Sequence, residues 1–300
     1  MFMLNYQLTY HKNYSKIAFE AMASPCEVLI RNLQPEFNHQ IAKSVIKETK
    51  RIENKYSRYI SGNLVDKMNN SDGQSVKIDP ETFKLLEYAR NLFEVSDGLF
   101  DITSGVLRKI WKFYPNSKPP TKDVIYSLLQ NIDFRLINYD EQTFRMPRRM
   151  QIDFGGIGKE YAVDQVAKLI RPICKKRKSS FLINFGGDLS ADKFSSQDPA
   201  WVVGLESANN AHEAGSVISL TSGSVATSGN TKRFLEYQGK RYGHLLNPTT
   251  GYPIEGAPRS ITVFAPSCVL AGSFSSLAML QGLQAENFLT EQEIKYICIW

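Results

Sequence analysis

The chain has 300 residues, 42% of them hydrophobic and 22% charged, with a formal net charge of +6. That apolar share over such a length supports a sizeable buried core and excludes a disordered chain. Four cysteines, Cys26, Cys174, Cys268 and Cys298, lie far apart with no C-x-x-C pair, which suggests neither a zinc site nor a dense disulfide framework and fits a reducing compartment.

The first twenty residues, MFMLNYQLTYHKNYSKIAFE, have neither a basic start nor an uninterrupted apolar stretch. No secretory signal or lipid-anchor motif is read there, so the expected location is the cytoplasm. Residues 17 to 31 read as strand, broken near Ser24-Pro25. From Pro35 to about Tyr56, Ile41, Val45 and Ile52 recur near helical spacing and predict an amphipathic helix. A second helix is expected from Asp79-Pro80 to Val95, with proline in its first turn. A third begins after Asp101 and carries Leu107, Ile110 and Trp111, and Arg135 to Arg145 reads as a hairpin around Tyr139-Asp140.

After Gly158, the residues Val163, Val166, Ala167 and Ile170 share a helical face, which places Lys159 near a helix start. The basic run Lys175-Lys176-Arg177-Lys178 reads as a solvated loop between that helix and the strand Phe181 to Phe185. No aromatic interleaving or nucleic-acid module accompanies it, so nucleic acid is not an expected partner. Several strands follow up to Tyr242, and the C-terminal part reads strand, helix, helix, strand, ending at Tyr296 to Ile299. The charge-free stretch Ile261 to Leu283 contains Pro266 and four serines, so it reads as strand, turn and buried helix and not as a transmembrane segment. Strands and helices in this order indicate an α+β fold, and no linker divides the chain.

The stretch QIDFGGIGKEY, residues 151 to 161, resembles a phosphate loop but fits neither nucleotide fingerprint. A Walker loop needs four residues between its glycines and a Ser or Thr after the lysine, where this chain has Glu160. A dinucleotide fingerprint counted from Gly156 meets Tyr161 where its third glycine belongs. What remains is a strand-to-helix turn whose glycines admit a ligand, with a helix N-terminus and Lys159 suited to an anion; a simple tight turn has the same appearance. Taken singly, Asp101 or Thr103 could be a helix cap, Asn184 to Asp188 a turn, Val225 to Gly229 a polar loop and His244 a structural histidine.

Taken together and in order, these segments resemble the FAD:protein FMN transferases, the ApbE-like flavin transferases. The resemblance runs over Ala21 to Ser24, Ser57-Arg58-Tyr59, Phe100 to Thr103 with Trp111 following, Asp153 to Asp164, Asn184 to Asp188, Thr227 to Gly229 and Tyr242 to Gly251. It covers roughly residues 18 to 285 and implies one ApbE-like, T-fold-related domain over residues 1 to 300, with mixed or antiparallel sheets and packed helices. It also implies an enzyme that cleaves FAD and joins FMN by a phosphoester to a Thr or Ser of a target flavoprotein, releasing AMP. The alternatives are an FAD-binding protein without transfer and an FAD pyrophosphatase giving FMN and AMP.

By this resemblance Met22, Tyr59 and Phe100 pack on the rings of FAD, while Asp101 and Asp153 accept hydrogen bonds from it. Lys159 serves the phosphates or a ring carbonyl, Gly186 and Gly187 allow close approach, and Leu99, Thr227 and Leu246 complete the contacts. His244 is the expected general base toward the acceptor hydroxyl. For Mg2+ the family pattern has an Asp in A-D-x-x-x-T together with a backbone carbonyl of the D-x-G-G turn. Here the aligned residues are Gly272, Ser276 and, in the turn, Gly156, so the carboxylate is missing unless Glu160 or Asp188 supplies one. Asn247 replaces an Asp after the histidine, and Glu160 replaces a Gly after the lysine. His244, Thr227 and Ser228 favour a working enzyme, whereas Gly272 favours the binder. Gly272→Asp is expected to lower the Mg2+ requirement unless something packs closely on that glycine.

Overall fold

A computed structural model describes residues 5–114, 117–206, 214–230 and 234–300. The strands in chain order begin with β1 (Gln7–Tyr10), β2 (Ser15–Ala21), β3 (Ser24–Ile30), β4 (Val76–Lys77), β5 (Asn138–Tyr139) and β6 (Thr143–Arg145). They continue with β7 (Phe181–Phe185), β8 (Asp188–Asp192), β9 (Trp201–Glu206), β10 (Ala214–Leu220), β11 (Ser222–Gly229), β12 (Phe234–Tyr237), β13 (Lys240–Gly243), β14 (Ser260–Ala265) and β15 (Lys295–Ile299). The helices are α1 (Pro35–Tyr56), α2 (Leu64–Asn69), α3 (Pro80–Val95), α4 (Lys122–Leu129), α5 (Gly158–Lys176), α6 (Cys268–Leu280) and α7 (Ala285–Glu291).

One sheet of eight strands in the order β1-β2-β3-β7-β8-β11-β14-β15 organises the fold, and every pairing in it is antiparallel. Its two faces are set by the period-two alternation of strand side chains. On β7, Phe181, Ile183 and Phe185 join the main core with α1 and α5, while Leu182 points to the other face among Leu189, Trp201 and Val225. On α1 the spacing of Ile41, Val45 and Ile52 delivers all three into that core, each worth about 1.5–3 kcal/mol by area removed from water. The α+β class expected from the element order is what the chain forms.

Several elements differ from the sequence expectation. The break in the first strand falls at Met22-Ala23, both with positive φ (53° and 54°), so β2 and β3 form a hairpin with a two-residue turn and Ser24-Pro25 lie inside β3. The segment after Asp101 is a 3-10 helix, Ile102–Lys109, capped by the Asp101 side chain, and Trp111 lies just beyond it. Lys175 and Lys176 are in the last turn of α5, where cations suit the carbonyl end of the helix, and Arg177 stacks 3.7 Å over Phe37. The charge-free segment is β14 plus the 13-residue α6, and among the described residues no helix is long and apolar enough to cross a membrane.

Candidate active site

The glycine turn between residues 153 and 158 is fixed from several sides. Asp153 donates its backbone N–H to Ile102 O (2.9 Å), and its carboxylate accepts from Gly155 N (2.8 Å) and from Arg58 Nη1 (3.1 Å). Arg58 Nη1 also donates to Gly105 O at 2.8 Å, so one guanidinium ties residues 57–59, 100–105 and 153–156 together. A β-carbon on Gly105 would meet Asp153 Cβ at 2.9 Å, so close approach demands that glycine, and one on Gly156 would press on the Phe100 ring at 3.1 Å. In this segment the sequence singles out Tyr59 and gives no sign of the role of Arg58. In the structure Tyr59 is 86% exposed, whereas the Arg58 side chain is buried to all but 12%.

Asp101 is buried, and its oxygens accept from Thr103 N (2.7 Å), Thr103 Oγ1 (2.7 Å) and Phe134 N (3.0 Å). Burial raises its pKa against those bonds. The carboxylate thus organises its own loop. Leu99 packs against the main core beside Phe100, and Met22, whose N–H donates to Glu53 Oε1 at 2.5 Å, is held half-buried on the β2–β3 turn.

A second group of side chains gathers around the start of α5. Lys159 Nζ lies 2.7 Å from Asp188 Oδ2, and the Thr227 backbone N–H also bonds the Asp188 carboxylate. The Gly186-Gly187 turn between β7 and β8 has positive φ at both residues (60° and 101°), and a β-carbon on Gly186 would sit 2.8 Å from Ser24 Cβ. Burial depresses the Lys159 pKa, but the neighbouring Asp188 and Glu160 carboxylates outweigh that effect and raise it, so the ammonium stays charged. On β11, Thr227 Oγ1 shares a hydrogen bond with Thr262 Oγ1 (2.8 Å), and the Ser228 hydroxyl reaches Ser275 (2.8 Å) and Ser276 (3.1 Å) on α6.

Glu160 meets Gly272 in the same place. A β-carbon on Gly272 would fall 2.5 Å from Glu160 Cγ and 2.9 Å from its Oε1, so the space left by the glycine of α6 holds the Glu160 carboxyl. Close packing therefore accounts for the glycine at 272, and Gly272→Asp alone would place two carboxyl groups in one space. Burial, then the charge of Asp188, push the Glu160 pKa up to about 8 against the pull of Lys159, and its buried Oε2 has no hydrogen-bond partner.

The third group surrounds residues 242–253. Trp111 Nε1 donates to Gly251 O (2.8 Å) within a small core of Leu107, Ile125, Leu235, Leu246 and Tyr252. Leu246 is paired with Pro253 in an isolated bridge, and the His244 ring stands edge-on to Phe113 at 6.5 Å between centroids. Asn247 Oδ1 accepts from Thr249 N (2.8 Å) and Thr250 N (3.2 Å), a turn-closing task an amide oxygen performs as well as the carboxylate it replaces. A cleft of about 930 Å³ runs along this segment, lined among others by Asn230, Arg241, Gly243, Asn247 and Tyr252. Another, of about 640 Å³, is lined by Asp97, Gly98, Asp101, Asp133 and Thr249. Lys159 and Glu160 line neither, so cavity size does not mark the charged cluster; the site is located by its converging side chains.

The sequence matches the ApbE family over residues 22–299. The chain belongs to the ApbE family. Curated relatives include the FAD:protein FMN transferase of Haemophilus influenzae, 25% identical over 253 residues, 80% of this chain and 71% of that protein. The FAD:protein FMN transferase of Chlamydia muridarum is 23% identical over 95% of this chain and 90% of its own length. The Escherichia coli transferase is 27% identical over 66% of this chain, which spans only 58% of that protein. Among solved structures, the ApbE protein of Thermotoga maritima superimposes with a TM-score of 0.84 at 26% identity, over 95% of this chain and 94% of that one. The apo flavinyl transferase ApbE of Pseudomonas stutzeri has the same fold, with a TM-score of 0.81 at 22% identity over 99% and 92%.

This ApbE-family chain also relies on residues its sequence does not single out: Arg58 and Glu53, whose bonds to Gly105, Asp153 and Met22 are long-range, and Asp164. The Asp164 carboxylate accepts from Cys268 N (2.8 Å) and Val269 N (2.9 Å), capping α6 from α5. Asp164 was legible as the last residue of the Asp153-to-Asp164 segment, but its partner a hundred residues away was not.

Proposed function

We propose that this chain is a FAD:protein FMN transferase that moves FMN from FAD to a threonine or serine hydroxyl of a target flavoprotein and releases AMP. The observation supporting this most directly is the ammonium of Lys159, held by Asp188 at the N-terminus of α5 beside the Gly186-Gly187 turn. A fixed cation, a helix N-terminus and a glycine turn without side chains together suit a diphosphate.

In the reaction the acceptor hydroxyl attacks the phosphorus of the FMN half, the bond to the AMP phosphate oxygen breaks, and AMP leaves with its electron pair. His244 takes the hydroxyl proton, the general-base role that an imidazole nitrogen commonly fills. Lys159 neutralises phosphate charge, and Gly186, Gly187 and Thr227 hold the diphosphate close to it. Phe100, Met22 and Tyr59 offer surface to the rings, and Leu99 and Leu246 add further apolar contacts. Asp153, pinned by Arg58, fixes the glycine turn, while Asp101 acts mainly as the cap of its own loop.

The orphaned Glu160 Oε2 is a hard oxygen donor of the kind Mg2+ takes, and Ser276 and the Gly156 carbonyl are the further oxygens that the family resemblance assigns to the ion. When bound, the ion would offset diphosphate charge. The test is incubation with FAD, Mg2+ and a target protein bearing an acceptor threonine. Flavin fluorescence retained by the denatured target is the expected result, with wild-type transfer and no transfer by His244→Ala that still binds FAD. Free FMN and AMP in place of labelled target, or unchanged FAD, would overturn the reading.

A further inference from the structure

Glu160 is hard to explain as a structural residue. Its carboxyl is enclosed between α5 and α6, Oε2 has no hydrogen-bond partner, and the nearby ammonium of Lys159 is engaged by Asp188. A buried carboxyl group with an open oxygen is costly unless a donor, or for its ionised form a cation, completes it. An apolar residue or a glutamine would fill the same space at lower cost, so stability alone gives no reason for a carboxylate.

The Gly272 that faces Glu160 lies on a helix that also carries hydroxyl and carbonyl oxygens, and the Asp188 and Asp164 carboxylates act on Glu160 from nearby. The Ser276 and Ser228 hydroxyls lie 3.1 Å apart on α6 and β11, and the Gly272 carbonyl accepts from Ser275 Oγ at 3.0 Å. Mg2+ is usually held by one or two carboxylates together with substrate phosphates. Among the described residues no group of three or more His, Cys, Asp and Glu side chains is placed to hold a metal ion, so an ion here needs ligand oxygens to complete its shell.

We infer that Glu160, reaching from α5 into the gap that Gly272 leaves on α6, is the carboxylate with which this chain anchors a divalent cation, in place of a carboxylate carried by α6. Glu160 and Gly272 are then one exchange: the acid has moved from one helix to the other, and the residue facing it has lost its side chain to make room. The inference rests on the transferase reading for the diphosphate that completes the ion's coordination.

The exchange can be reversed experimentally. Mn2+ binding is measured by the loss of the free-ion EPR signal in the presence of FAD, alongside the thermal midpoint, for wild type, Glu160→Gln, Gly272→Asp and the double variant Glu160→Gly/Gly272→Asp. Glu160→Gln should remain folded and bind FAD while its Mn2+ affinity falls roughly tenfold or more, the loss seen even for outer-shell partners. Gly272→Asp alone should melt at lower temperature, and the double variant should regain both stability and Mn2+ binding. Wild-type Mn2+ affinity in a folded Glu160→Gln, no Mn2+ binding by wild type with FAD, or a folded double variant without Mn2+ binding would each overturn the inference. Flavin transfer by a wild type whose Glu160→Gln keeps its Mn2+ affinity would sink this inference and leave the transferase reading standing; Mn2+ binding through Glu160 without transfer would do the reverse.

Discussion

Trp111 Nε1 donates a 2.8 Å hydrogen bond to the carbonyl of Gly251, joining the end of the 3-10 helix to the turn that follows His244. Trp111 is only 2% exposed, so this indole N–H has no water to fall back on. Trp111→Phe keeps most of the apolar volume and removes the donor. It should destabilise the protein by about 1–3 kcal/mol, the cost of a buried acceptor left unmet. Equilibrium urea unfolding checks this. A variant within error of wild type would show that the bond does not hold the His244 loop.

The cap on α6 gives a second prediction. Asp164 accepts the backbone N–H groups of Cys268 and Val269, donors that the first turn of a helix cannot satisfy internally. Asp164→Ala should cost about 1–2 kcal/mol and loosen the helix start that carries Gly272 and Ser276. Asp164→Asn keeps one acceptor oxygen and should recover part of the loss. Amide exchange at residues 268–270 is the direct measure, and unchanged protection there in Asp164→Ala would refute the cap.

What the sequence disclosed follows from how far its signals reach. The boundaries of α1 and α3 came from local periodicity and from proline in the first turn, both properties of contiguous residues. The segments holding Lys159, Gly186-Gly187 and Thr227 were legible as motifs, and the fold brings them around one point. The Met22-Ala23 turn was missed because neither residue is a usual choice for positive φ. The short helices α2 and α4 have too few turns for periodicity to register. The meeting of Glu160 and Gly272 was not legible either, since it lies in the packing of α5 on α6 and in no local pattern.

Arg58 and Tyr59 are neighbours in sequence with opposite environments, so their substitutions should separate. Arg58→Ala removes donors to Gly105 O and Asp153 and should cost about 2 kcal/mol, typical of bonds to charged groups. Tyr59→Ala should leave stability within about 0.5 kcal/mol, as for most surface positions, and weaken FAD binding instead. Thermal midpoints and flavin titrations on both variants decide the matter. Tyr59→Ala with wild-type FAD affinity would remove that ring from the binding surface.

Acid sensitivity should arise at Glu81. Its carboxylate accepts from Arg51, Lys55 and Tyr161, joining α1 and α3 to the first turn of α5, where Lys159 and Glu160 stand. Burial pushes its pKa up, but the bonds from Arg51, Lys55 and Tyr161 prevail and bring it from 4.5 down to about 2. A carboxyl group with a depressed folded-state pKa stabilises fully above its unfolded value and loses that contribution as pH falls through the folded one. The stability due to Glu81 should therefore be intact at pH 7 and decline as the pH drops from 4.5 toward 2. Glu81→Gln should be less stable than wild type at pH 7, with the gap narrowing through that window. Urea midpoints for both proteins from pH 7 to pH 3 test it. Two curves that stay parallel over that range would show that the ion-pair cluster contributes nothing that depends on the charge of Glu81.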